Sequence, residues 1–192
     1  MKAYQDASLA PVRRAKALLE EMTLAEKIGQ LNQRLYGFRI YERKCVNGED
    51  TIELSEEFCQ EVEKYSGLGV LYGLYRADPW ADKNYETGLT GVLSKKAYNQ
   101  VQRYVLEHSR LGIPVMMSSE CPHGHQALDG YLLPVNLLAG ATFDPAMVRA
   151  AYRVSGRQLQ NMGVDLALMS MLDVLRDPRW GRSEECYSED PY

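Results

Sequence analysis

Between Gly67 and Met169 short apolar runs alternate with longer segments of helical period, and this order limits the architecture more than any other feature of the chain. The run from Gly67 to Tyr75, punctuated by glycine, reads as a buried strand ending near Tyr72. A helix capped by Ser94 follows, with Ala97, Val101, Tyr104, Val105 and His108 on one face, ending at Arg110-Leu111-Gly112. Ile113 to Met117 is a second strand. Asp144 as N-cap with Pro145 in the first helical position starts another helix, whose Val148, Ala151, Ser155, Leu159 and Met162 share a face up to Gly163. Val164 to Met169 is the third strand. Parallel neighbours need long, usually helical connections, so the pattern predicts an α/β chain with a parallel sheet. Ligands of such sheets sit at the carboxyl ends of the strands, which directs attention to the loops after Tyr72, Met117 and Met169.

Upstream, Val12, Ala15, Leu18, Leu19 and Met22 recur at helical spacing, and Thr23 with Glu26 forms a capping box that restarts a helix through Ile28 and Leu31. Residues 1–60 are therefore expected to be a helical extension followed, from residue 36, by an irregular segment, with a short helix from about Ser55 to Tyr65. The stretch 61–192 carries the strands. At 192 residues the chain suits one domain and a fraction at most.

With 45% apolar and 25% charged residues it can bury a sizeable core. Twenty-six Asp and Glu against 22 Lys and Arg, with no block of like charge, offer nucleic acid or anionic lipid no footprint. No stretch approaches the ~18 consecutive apolar residues of a membrane span. The start lacks an apolar leader run, so a cytoplasmic location is expected, or secretion if a leader was removed. Cys45, Cys59, Cys121 and Cys186 lie far apart without a Cys-x-x-Cys pair, and read as free thiols.

Two of the three loops hold chemistry. After the second strand, Ser118-Ser119-Glu120-Cys121-Pro122-His123-Gly124-His125 crowds a carboxylate, a thiol and two imidazoles into one turn. A metal held by Glu120, His123 and His125, with His108 as a third imidazole, is one reading. A nucleophilic Cys121 with His123 or His125 is another. A carboxylate presented to ligand hydroxyls, with the imidazoles buttressing the turn, requires no further parts, and a turn without function is the bland alternative. After the third strand, Arg176, Asp177 and Arg179 suit ion pairs that brace a long loop, whereas Trp180, Gly181 and Arg182 combine a flat ring, a close approach and a donor fork suited to a sugar edge. Gly67, Gly69 and Gly73 miss the dinucleotide-binding spacing and lack a preceding strand.

Taken together, Met22 to Leu31, Leu111-Gly112-Ile113-Pro114, Glu120-x-x-His123-Gly124, Ala141-Thr142-Phe143-Asp144-Pro145, and Arg176-Asp177-Pro178-Arg179-Trp180-Gly181-Arg182 through Ser188-Glu189-Asp190-Pro191-Tyr192 resemble glycoside hydrolase family 3. The resemblance covers nearly the whole chain. It implies a (β/α)₈ barrel, often followed by an α/β sandwich, that removes β-linked sugars from non-reducing ends with retention, as β-glucosidases and β-xylosidases do. It places Glu120 at the acidic position that binds hydroxyls of the terminal sugar and Arg182 at the arginine that joins it, with Trp180 and His123 beside them. His123 and Gly124 take a structural role in the turn. Many members have Asp at the acidic position, and the longer Glu120 bears on which hydroxyls are reached.

The family's nucleophile is an Asp in a Ser/Thr-Asp-aromatic segment well downstream of Glu-Asp-Pro-Tyr, preceded by a Lys-His pair that grips the sugar. Neither segment occurs here, so the nucleophile and acid/base are expected beyond Tyr192, and three strands of eight cannot close a barrel. The expectation is an amino-terminal fragment of a retaining β-glycosidase, inactive alone, with a β-linked glycoside and the missing carboxyl-terminal part as partners and no metal or organic cofactor. Alternatives are a carbohydrate-binding product or half-enzyme, and a metal-dependent hydrolase.

Overall fold

A computed structural model describes residues 2–169 and 171–191; Tyr192, the last residue of the Glu-Asp-Pro-Tyr motif, lies outside the described residues. The two expected amino-terminal helices are α1 (Pro11–Glu21) and α2 (Leu24–Leu31). The Thr23 hydroxyl accepts from the Glu26 amide at 3.2 Å while the Glu26 carboxylate takes the Thr23 amide at 2.7 Å. Arg110 reaches that same carboxylate at 2.7 Å and ties α2 to a segment 84 residues further along the chain. Its guanidinium, together with the Thr23 donors, pulls the Glu26 carboxyl down to about 2 against the opposing effect of burial. Helix α1 is amphipathic yet buries no residue, and Val12 and Leu19 remain exposed.

The segment expected to be irregular instead contains an antiparallel hairpin, β1 (Tyr41–Val46) with β2 (Glu49–Leu54), closed by Asn47 and Gly48. Both turn residues have positive φ, at 54° and 82°, which an Asn-Gly pair tolerates and which fits the twist of the flanking strands. Helix α3 (Glu56–Tyr65) starts where expected, the Ser55 hydroxyl accepting from the Phe58 amide at 3.3 Å.

Three parallel strands follow: β3 (Val70–Tyr72), β4 (Met116–Glu120) and β5 (Leu166–Leu168), in the order β3-β4-β5. Helix α4 (Gly91–Glu107) crosses from β3 to β4. It begins three residues before the expected Ser94 cap, and Ser94 is buried in its first turn. Between β4 and β5 lie the short α5 (Asn136–Gly140), which has no counterpart in the sequence reading, and α6 (Pro145–Asn161). Asp144 caps α6 as expected, accepting from the Met147 amide at 2.9 Å.

One core cluster joins hairpin, helices and sheet: Ile40 and Ile52 from the hairpin region, Phe58 and Val62 from α3, Ala97, Val101 and Val105 from α4, and Leu71 and Met117 from the strands. Each such side chain contributes roughly 1.5–3 kcal/mol by leaving water. The core lies on the β3 and β4 side; α6 buries only Ser155 and Leu159. The strands thus alternate with helices as a partial barrel that is not closed. No described helix is long and apolar enough to cross a membrane.

Candidate functional site

The second strand is displaced from its expected position. Ile113 to Val115 precede it, and pairing runs from Met116 opposite Val70 to Glu120 opposite Leu168. Glu120 therefore ends the central strand instead of sitting in a turn. At that position the strand fixes its Cα, and its carboxylate projects where three carboxyl ends converge.

Arg76, in the loop after β3, donates from Nη1 to Glu120 Oε2 at 2.7 Å. The same guanidinium pairs with Asp78 at 2.6 Å, contacts the Tyr72 hydroxyl and lies over the Trp80 ring with its carbon 4.6 Å from the centroid. Burial works against the Arg76 charge, but Asp78 and Glu120 outweigh it and the guanidinium is held protonated above its usual range. Burial also works against the Asp78 carboxylate, and Arg76 with the Ala81 amide overcomes it, so that carboxyl is lowered. Burial, and then the neighbouring Glu120, push the Tyr72 phenol up, leaving it a neutral donor.

A cavity of about 390 Å³ opens over these groups, lined among others by Arg76, Glu120, His123, Gln126, Arg182 and Glu185. Glu120 and Arg182, expected to act together, share it. Their geometry is indirect: Arg182 forks onto Glu185, with Nε and Nη2 each 2.6 Å from a carboxylate oxygen. Hydrogen bonding from Arg182 holds the Glu185 carboxyl below the ordinary range, and Glu185 in turn raises Arg182. His123 lines the wall beside Glu185. Trp180 is not among the lining residues; it is 40% exposed on the outer loop. Asp177 and Arg179 brace that loop at 2.5 Å, while Arg176 meets no carboxylate within ion-pair distance among the described residues.

The turn after Glu120 is built on Gly124, whose φ of 92° favours glycine; a Cβ there would stand 2.1 Å from the Tyr131 carbonyl oxygen. His125 folds back beneath the strand, fully buried, with Nε2 3.0 Å from the Ser119 hydroxyl. Burial pushes its imidazole down to about 4, so it is neutral at ordinary pH. It faces away from a ligand set with Glu120 and His123, and no three His, Cys, Asp or Glu side chains gather as metal ligands among the described residues. Cys121 is also buried, which pushes its thiol up, the opposite of what a nucleophilic thiolate needs.

Arg76 is the site residue that sequence reasoning missed. Its signal was present: Arg76-Ala77-Asp78 follows the first strand, at one of the three carboxyl ends where a ligand is sought.

Residues 23–192 match the family model described as glycosyl hydrolase family 3 N terminal domain. A putative β-xylosidase of Formosa agariphila is 30% identical over 191 residues, covering 100% of this chain and 23% of that protein. A periplasmic β-glucosidase of Salmonella typhimurium is 29% identical over 175 residues, 91% of this chain and 18% of that protein. The solved β-glucosidase of Erythrobacter marinus superposes with a TM-score of 0.71 at 30% identity, over 98% of this chain and 22% of that one. The Listeria innocua β-glucosidase solved with glucose gives 0.66 at 27% identity, over 93% and 21%. The chain thus spans about a fifth of the length of these relatives. With the family model covering nearly nine-tenths of its sequence, and its strands and helices following those of solved β-glucosidases, the chain belongs to glycoside hydrolase family 3, as part of its N-terminal domain.

Proposed function

We propose that the cavity over β4 binds the terminal sugar of a β-linked glycoside, as part of a retaining β-glycosidase whose nucleophile and acid/base lie outside these 192 residues. The observation that carries this reading is the pairing of two of the cavity's three glutamates with arginines: Glu120 with Arg76 at 2.7 Å, and Glu185 with Arg182 at 2.6 Å, Glu184 lining the wall beside them. Carboxylate oxygens accept hydrogen bonds from hydroxyls, while the free N–H groups of a neighbouring guanidinium donate, which is the alternating pattern a sugar edge requires. The hydrogen bond from Arg182, which holds the Glu185 carboxyl below its ordinary range, disfavours Glu185 as the proton-donating acid of glycoside hydrolysis. Retention needs two carboxyls about 5 to 5.5 Å apart in distinct roles, one nucleophilic and one protonated. The naming of relatives as β-glucosidases and β-xylosidases supports the substrate class. A non-catalytic carbohydrate-binding role would use the same cavity.

The test is a two-dimensional NMR titration of the chain with glucose and with xylose, beside an aryl β-glucoside assay. Shifts centred on Glu120 and Arg182 that vanish in Glu120→Gln, with no turnover, are expected. Binding that ignores the substitution overturns the sugar site, and measurable turnover overturns the placement of the chemistry elsewhere.

A further inference from the structure

One contact in the cavity wall has no part in the terminal-sugar reading. Met171, half-buried and lining the cavity, sets its thioether 3.8 Å from Nη2 of Arg182, the guanidinium that also forks onto Glu185. Nη2 carries two protons. One goes to the Glu185 carboxylate at 2.6 Å, and the other is donated to sulfur. A thioether is a weak acceptor, so a sugar hydroxyl takes that proton from it at little cost. Met169 lines the same cavity but makes no hydrogen bond to this guanidinium among the described residues.

Oxidation would reverse the character of this contact. A methionine sulfoxide is polar, and its oxygen accepts hydrogen bonds far better than the sulfur it replaces. The 3.8 Å between Sδ and Nη2 is also about the separation at which a sulfoxide oxygen on that sulfur accepts from that nitrogen at an ordinary hydrogen-bond distance. Hydrogen bonding to Glu185 keeps Arg182 protonated, so the new bond would be charge-assisted. The N–H now offered to sugar would then be taken by the protein itself.

We propose that Met171 is a site of reversible oxidation by hydroperoxides, and that its sulfoxide lowers sugar affinity by engaging Arg182. This rests on the sugar-binding reading above and adds a control to the same site. The step is balanced: a sulfur lone pair attacks one peroxide oxygen, the O–O bond breaks as the S–O bond forms, and the other oxygen leaves as water or, from an organic hydroperoxide, as the alcohol. Sulfur loses two electrons and the peroxide gains them. The cavity, at about 390 Å³, gives so small an oxidant access to the sulfur.

The test is an NMR titration of the 192-residue chain with glucose before and after hydrogen peroxide, with peptide mass spectrometry locating the added oxygen among the eight methionines. Glucose affinity is expected to fall about tenfold as the Met171 sulfoxide forms, with an unchanged circular dichroism spectrum. The Arg182 Nε–H signal should shift on oxidation even with no sugar present. Dithiothreitol, which reverses disulfide formation, should not restore affinity, whereas the two methionine sulfoxide reductases should. In Met171→Leu the affinities before and after peroxide should be equal, whatever the starting value, while Met169→Leu should respond as the parent does. A Met171 that stays reduced while Met116 and Met147, 44% and 48% exposed, are converted overturns the site. So does a Met171 sulfoxide with unaltered affinity or an unmoved Arg182 signal, or a loss that persists in Met171→Leu. Each of these leaves the terminal-sugar reading intact, whereas absence of glucose binding before oxidation takes down both.

Discussion

At the scale of single residues, the site is a pair of arginine-bound carboxylates, and each partner has a separable role. Replacing Arg76 with Met keeps the packing on Trp80 but removes the donors that hold Glu120 in place. We expect sugar affinity to fall about tenfold or more with an unchanged circular dichroism spectrum, since a hydrogen bond to a charged group is worth ~1.5–3 kcal/mol. His125 predicts a pH effect. Its folded value of about 4 lies below the ordinary imidazole value of 6.5, so the unfolded chain binds the extra proton first. Stability is then fully present above about 6.5 and declines as pH falls toward about 4. Urea unfolding of His125→Gln beside the parent chain should show a shallower loss across that window. The motif resemblance pointed to Glu120 and Arg182, which line one cavity, and to the turn that Gly124 makes at positive φ. The loop that holds Arg76 was legible as a strand's carboxyl end, but its pairing with Glu120 was not, because the two lie 44 residues apart and the order of residues says nothing of that contact.

At the scale of elements, the alternation of apolar runs and helical faces after Gly67 was enough to find all three parallel strands. Their ends were less legible. Ser118 and Ser119 look like loop residues, yet both are buried in β4, because the pairing of Ser118 with Leu166 and of Ser119 with Ala167 overrides their weak strand preference. The hairpin β1–β2 was missed for the opposite reason. Half of its strand residues are charged and most are exposed, so alternation is faint, and Asn47-Gly48 was the readable signal. Gly48→Ala, at a φ of 82°, is expected to cost about 1 kcal/mol and lower the melting temperature by about 2–4 °C. A loss several times larger would mean the hairpin anchors the core more than Tyr41 and Ile52 account for.

At the scale of the whole molecule, packing is lopsided. The β3 side of the sheet is covered by α3, α4 and the hairpin, whereas β5 forms the outer edge, and Leu166 and Leu168 are each 40% exposed. Leu172, four residues past the end of β5, is 93% exposed. An unpaired edge flanked by apolar side chains is a template for another strand or another chain. This 192-residue chain is therefore expected to self-associate with rising concentration, detectable by sedimentation velocity. Leu166→Lys, which places a charge on the edge strand without entering the main core or the cavity, should shift the distribution toward monomer. A chain that stays monomeric up to hundreds of micromolar would mean that the exposed edge is too short, at three residues, to recruit a partner. Were that so, the carboxyl ends that hold Glu120 would remain open to sugar at any concentration. If association does occur through β5, sugar binding at the neighbouring cavity, whose wall includes Leu168 and Met169, should weaken as concentration rises and recover in Leu166→Lys, at a β5 residue outside that wall.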